Sequence, residues 1–150
     1  MTYQYLDRSS TLIGGGSPSQ KLIGFDFWNQ TLVAYNYISN FAGDSSDFDD
    51  SKMSVLAKGR TTKNETIDLL GPPTGRAVYP ALPDRRGEKF IYQYVEIRAR
   101  QNQRFIKRLE IVFGGNGRIV DYRFASDTSP LPSQPAPAPT VVPIIVPRGR

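Results

Sequence analysis

The sequence contains no cysteine and no histidine among its 150 residues. Without cysteine there is no disulfide framework and no thiolate chemistry. Without histidine the commonest general base and the commonest metal ligand are both missing. A histidine-based catalytic triad is therefore excluded. An enzyme built on this chain would have to move every proton through Asp, Glu, Lys, Tyr, Ser or Thr. A long hydrophobic run is lacking too. The apolar stretch at 141–146 is broken by Pro143, whereas crossing a bilayer takes roughly 20 apolar residues. Residues 1–8 carry polar groups and no long apolar run follows them, so no secretory leader is legible there.

What is present points to one folded unit with looser flanks. Hydrophobic residues make up 39% and charged residues 22%, enough for one core in part of the chain. There are 13 glycines and 12 prolines, and the prolines crowd towards the end. The net charge of +5 suits nucleic acid, anionic lipid headgroups or an acidic protein face, and no Lys/Arg run chooses among them.

The first third is ambiguous. Gly14, Gly15, Gly16, Ser17 and Pro18 form a flexible break. An aromatic-rich stretch follows, with Phe25, Phe27, Trp28, Tyr35, Tyr37 and Phe41. Phe25 and Phe27 alternate as in a strand, while Trp28, Leu32 and Tyr35 fit helical spacing. These aromatics either pack on the domain or form an exposed docking patch.

The middle reads more clearly. Asp44, Asp47, Asp49 and Asp50 precede Met53, Val55 and Leu56, which predicts a capped helix over about 49–57. The cluster lacks the fixed Gly and Glu of a calcium loop. Lys58-Gly59 ends that helix. Thr62 to Glu65 is a capping box opening a second helix, which Gly71 and Pro72-Pro73 close. Ile67 and Leu70 share its buried face. So short a helix needs something to pack on.

Three strands then follow a loop over 74–87. Over 89–98, Phe90, Tyr92 and Tyr94 share one face and Ile91, Val95 and Ile97 the other. Over 104–113, Phe105, Leu109, Ile111 and Phe113 oppose Arg104, Arg108 and Glu110. Over 118–124, Val120, Tyr122 and Phe124 alternate with Asp121 and Arg123. This period of two marks antiparallel strands. The run from Gly114 to Gly117, with Asn116, is a hairpin turn; it is not a phosphate loop, for no Lys-Ser/Thr and no helix follow. The polar stretch 98–103 is the other hairpin loop. The resulting expectation is an α+β fold: two short helices packed on a three-stranded antiparallel sheet, a two-layer sandwich. It divides the chain into an irregular aromatic extension (1–46), the helix-helix-meander domain (47–127) and a disordered Pro-rich tail (128–150).

The pieces from about 51 to 126 resemble the BamE (SmpA/OmlA) family of outer-membrane lipoproteins. Lys58-Gly59-Arg60-Thr61 matches its helix connection, and Leu70-Gly71-Pro72-Pro73 its helix end. Phe90-Ile91-Tyr92 matches its aromatic strand. Leu109 to Phe113 and Gly117-Arg118-Ile119-Val120 match its last hairpin. The resemblance implies a periplasmic, outer-membrane-associated scaffold in a multiprotein envelope machine for assembly or secretion, with no catalytic activity, no cofactor and no metal. The chain departs from the family in lacking the lipid-bearing Cys and in its long flanks.

Most motif residues are explained by structure. Gly59, Thr61, Thr62, Gly71, Pro73, Phe113 and Gly117 are read as turn, cap and core positions. Glu96 and Glu110 lie amid Arg98 and Arg108 and are read as ion-pairing across strands. Two surfaces are expected to bind partners. One is the aromatic sheet face, with Phe90, Tyr92 and Tyr94, and with Trp28 from the extension. Something must cover the second apolar face of the 89–98 strand, either the aromatic extension or a partner chain. The other surface is a basic patch of Arg98, Arg100, Arg104, Lys107 and Arg108, suited to acidic protein or anionic lipid headgroups. Other envelope proteins are the expected partners, and nucleic acid is the lesser alternative.

Overall fold

The computed structural model describes residues 2–7, as backbone, and residues 19–131. The glycine break, residues 132–150 of the tail and the 141–146 run lie outside the described residues. The strands are β1 (Thr2–Asp7), β2 (Ser19–Trp28), β3 (Thr31–Ser39), β4 (Gly75–Val78), β5 (Glu88–Arg98), β6 (Gln103–Phe113) and β7 (Ile119–Pro130). They form one sheet in chain order, and every neighbour is antiparallel. Between β3 and β4 lie a 3-10 turn, Asp50–Val55, and the α-helix α1, Lys63–Leu70.

The expected three-stranded sheet with two helices is thus overturned. The three expected strands are present as β5, β6 and β7, but they are the last three of seven. The extension expected to be irregular contributes β1, β2 and β3. The loop expected over 74–87 contains β4, and the strand expected to end at Phe124 runs to Pro130.

The first expected helix is reduced to the 3-10 turn. Its cap is as read: the Asp49 carboxylate accepts from the Ser51 N–H at 3.1 Å. None of the turn's residues is buried, so nothing rewards its extension. Leu56 is instead extended and turns into the core.

α1 follows the sequence closely. Thr62 N–H donates to Glu65 Oε2 at 2.7 Å, and Glu65 N–H donates to Thr62 Oγ1 at 3.3 Å, closing the capping box. Gly71 sits at φ +83°, a conformation that favours glycine. Tyr92 Oη donates to the Gly71 carbonyl at 3.0 Å and ties the helix end to β5.

The core lies between α1, the 45–57 segment and one face of β5–β7. Pairing of Phe90 with Ile111 and Tyr92 with Leu109 lines up the apolar sets of β5 and β6. Phe48, Leu56, Phe113 and Ile119 complete the buried cluster, and Ile67 and Leu70 pack against it. Phe90 and Phe113 meet edge-on at 4.7 Å, and Phe48 lies 5.7 Å from Tyr92.

Two of the sequence pieces, 58–61 and 117–120, meet in space. Gly59 N–H donates to Ile119 O at 2.7 Å, and Ile119 N–H donates to Thr61 O at 2.9 Å. The Thr61 hydroxyl accepts from Ala57 N–H at 3.0 Å and closes the turn. The 58–61 turn is therefore a short bracket on the start of β7. Gly59, Thr61, Thr62 and Gly117 serve turns and caps there, Gly71 ends α1, and Phe113 is core. Pro73 directly precedes Thr74. That side chain accepts from Gln93 N–H at 3.0 Å and donates to Ile91 O at 3.1 Å.

Candidate functional site

Consecutive antiparallel pairing sends loops alternately to two ends of the sheet. The β2–β3 turn, the 79–87 loop and the 114–118 turn share one end. The β3–β4 connection and the 99–102 loop share the other. Trp28 and the Arg98–Arg104 region, both expected to bind partners, therefore stand at opposite ends.

The sheet's aromatic residues divide. Phe90 and Tyr92 are each 1% exposed, so they belong to the core and no partner can reach them. Burial pushes the Tyr92 hydroxyl's pKa well up. Tyr94 is half-buried, in an edge contact with Phe105 at 6.5 Å.

The basic patch also divides. Lys107 points to the core face, not to the patch. Its ammonium donates to the Phe48 carbonyl, to Asp47 at 2.8 Å and to Asp50 at 3.1 Å, and lies over the Phe48 ring. Burial works against this charge, but the bonds and charges of Asp47 and Asp50 outweigh it and raise the pKa. The acidic cluster is thus a clamp that pins the 45–50 segment to the sheet. Asp44 serves a similar end. Hydrogen bonds from Lys21 and from Tyr37 (2.6 Å) and Ser39 (2.9 Å) lower its pKa to about 2.

Arg98 pairs with Glu96 at 2.9 Å and stacks on Phe105 at 4.6 Å. Arg108 bonds Gln93 at 2.9 Å and Glu110. Arg100 and Arg104 remain exposed. The expected ion pairing of Glu96 and Glu110 is present, although both arginine partners sit two residues along the same strand. Only Lys89 reaches Glu110 across strands, at 3.0 Å. Burial opposes the Glu110 carboxylate, yet Arg108 and Lys89 hold its pKa down.

Asn36 extends this ladder by donating to Gln93 at 2.8 Å, so β3, β5 and β6 are bridged on the face away from α1. Leu82 and Pro83 fold over that face, lining a 360 Å³ cavity with Lys89, Glu110, Val112 and Asp121. The 79–87 loop thus lies over the Lys89 end of β5, and neither Val95 nor Ile97 lines that cavity.

Exposed aromatics also stand at the β2–β3 tip, while Phe124, 36% exposed, lies on β7. Asn29 and Gln30 take φ +45° and +65°, which makes a tight two-residue turn. Phe27 and Trp28 on its one arm are 56% and 58% exposed, and Leu32 on the other is 43% exposed. Pairing of Ala34 with Ala77 brings exposed Val78 and Tyr79 alongside. No charged residue occurs between Asp26 and Asp44. In sequence, Phe27 and Trp28 fall among the aromatics that either pack or dock, Trp28 is singled out, and Leu32 is given no such role. The signal was available as apolar residues directly flanking a turn of Asn and Gln, where a tip leaves them nothing to pack on. The chain matches no family model, no curated protein and no solved structure.

Proposed function

We propose that this chain is a non-catalytic docking component of a bacterial envelope multiprotein complex, gripping its protein partner with the β2–β3 tip. The observation that carries the reading is the exposure of Phe27 and Leu32, paired on one face of the β2–β3 tip, and of Trp28 on the other face, around a tight turn free of charge. Large aromatics have few rotatable bonds and are efficient interface anchors, because little side-chain freedom is lost on binding. The envelope setting rests on the BamE-like motifs, among which the 58–61 turn and the Gly117–Val120 segment are in contact. Exposed Arg100 and Arg104 at the far end suit an acidic surface or anionic headgroups as a second, weaker contact. The nucleic-acid alternative loses Phe90 and Tyr92 as stacking platforms, since both are buried.

The test is site-specific photocrosslinking in the source cell. A crosslinker at position 28 is expected to capture a defined envelope protein, while one at Val55, itself 62% exposed, captures none. With that partner purified, W28A is expected to weaken binding by about 2 kcal/mol. Equal capture from both positions, or capture of nucleic acid alone, would refute the reading.

A further inference from the structure

We propose that β7 is a self-pairing edge, through which two copies of this chain join their sheets about a two-fold axis at Ala125. The strand order leaves β7 at one edge of the sheet, with β6 bonded along its inner side. On its outer side the 58–61 turn occupies only the first residue, Ile119. Among the described residues, no other backbone group bonds that edge. Residues 123–128 are exposed on both faces. An open edge of this length is a template for another strand unless a bulge, a proline or an inward charge blocks it. The one irregularity in β6–β7 pairing lies before Asp121, and the first proline is Pro130.

Over its full free length the sequence of the edge complements itself in one register. A two-fold axis normal to a continuous antiparallel sheet pairs residues whose side chains share a face. Centred on Ala125, it sets Arg123 against Asp127, Phe124 against Ser126 and Tyr122 against Thr128, each twice. Two opposite-charge pairs and two aromatic–β-branched pairs result, both favourable across strands. Centred on Phe124, it would set Asp121 against Asp127, a like-charge contact. Centred on Ser126, it would leave Arg123 facing Ser129 and Asp127 facing Ala125. Centred on Tyr122, it would pair Arg123 with Asp121, but the 58–61 turn at Ile119 would cut that pairing to residues 120–124. Charge and free length together select the Ala125 register.

Arg123 is available for this role. Its side chain is 86% exposed and lies 3.9 Å from Asp121, whose carboxylate is already held by Lys58 at 2.6 Å. The ends of the strand fit as well. In the Ala125 register Val120 meets Pro130, which has no N–H to give. One residue further, the 58–61 turn already fills the edge at Ile119. Pairing therefore spans residues 120–130 of both copies and stops there.

Sedimentation velocity of the full chain over a concentration series tests this, with circular dichroism confirming that each variant is folded. The wild-type protein is expected to show a reversible monomer–dimer equilibrium. R123D and D127R each create two like-charge contacts in the dimer and are expected to weaken it by roughly tenfold or more. The double variant R123D/D127R restores both pairs with reversed sign and is expected to dimerise again. A wild-type protein that stays monomeric at every concentration would overturn the proposal. So would single variants that dimerise as tightly as wild type, or a double variant that does not recover. W28A, at the separate hairpin tip, is expected to leave the dimer unchanged.

Discussion

At the scale of single residues, Lys107 shows how a charge can serve the core. It is 8% exposed, and its ammonium satisfies a backbone carbonyl and two carboxylates while its stem lies among apolar groups. Removing that ammonium leaves the Phe48 carbonyl without its donor and releases the 45–50 segment. K107M keeps the stem but not the charge, and is expected to cost about 1–3 kcal/mol in urea denaturation at pH 7. The pH dependence has a definite sign. The folded pKa is raised above the ordinary 10.5, so the pairing contributes fully below that value and is lost as pH rises through the folded pKa. K107M is therefore expected to flatten the alkaline limb of the stability curve. An unchanged midpoint at pH 7 would show that the clamp holds nothing.

At the scale of elements, α1 is the one whose boundaries are written in local chemistry. T62A deletes one half of the capping box, and about 1 kcal/mol of stability is expected to go with it, read from thermal unfolding. A loss of only a few tenths would mean that the Tyr92–Gly71 bond, not the cap, fixes the helix. The strands β5, β6 and β7 were legible for the same kind of reason, since alternation survives wherever one face is buried. β2 and β3 were not. The register shifts between Asp26 and Phe27, which leaves Val33 as an extra residue. That bulge breaks the period of two where Trp28, Leu32 and Tyr35 imitate a helix. A second shift, between Val112 and Phe113, explains the misplaced face of Val120. Ile119 takes the core position, and Val120 is left 51% exposed. β4 was hidden by its length, four residues amid glycine and proline. As for the candidate site, the helical spacing of Trp28 with Leu32 and Tyr35 hides the turn at Asn29 and Gln30 beside it. Phe90 and Tyr92 were misjudged because a strand apolar on both faces does not say which face the helix takes.

At the scale of the whole molecule, the meander joins two unequal parts through the short β4. The large cluster covers β5, β6 and the start of β7, whereas β3 adds only Val33 and Ile38 to the buried apolar set. At the junction Gly75 lies so close to β3 that an added Cβ would sit 2.5 Å from the Tyr35 carbonyl. Buried apolar contacts set how far a region must unfold before its amides exchange. The amides of Leu109, Ile111 and Phe113 are therefore expected to exchange only through global unfolding. Those of β2 and the β2–β3 tip are expected to exchange through local opening, with a free energy several kcal/mol lower. Native-state hydrogen exchange across a low-denaturant series separates the two routes, because global opening depends steeply on denaturant and local opening does not. If β2 amides shared the slope and free energy of the Ile111 amide, the sheet would be a single cooperative unit. The hairpin tip would then be as rigidly held as the core. A locally opening hairpin instead lets the tip with Phe27 and Trp28 adjust to a partner without loosening the cluster that α1 seals.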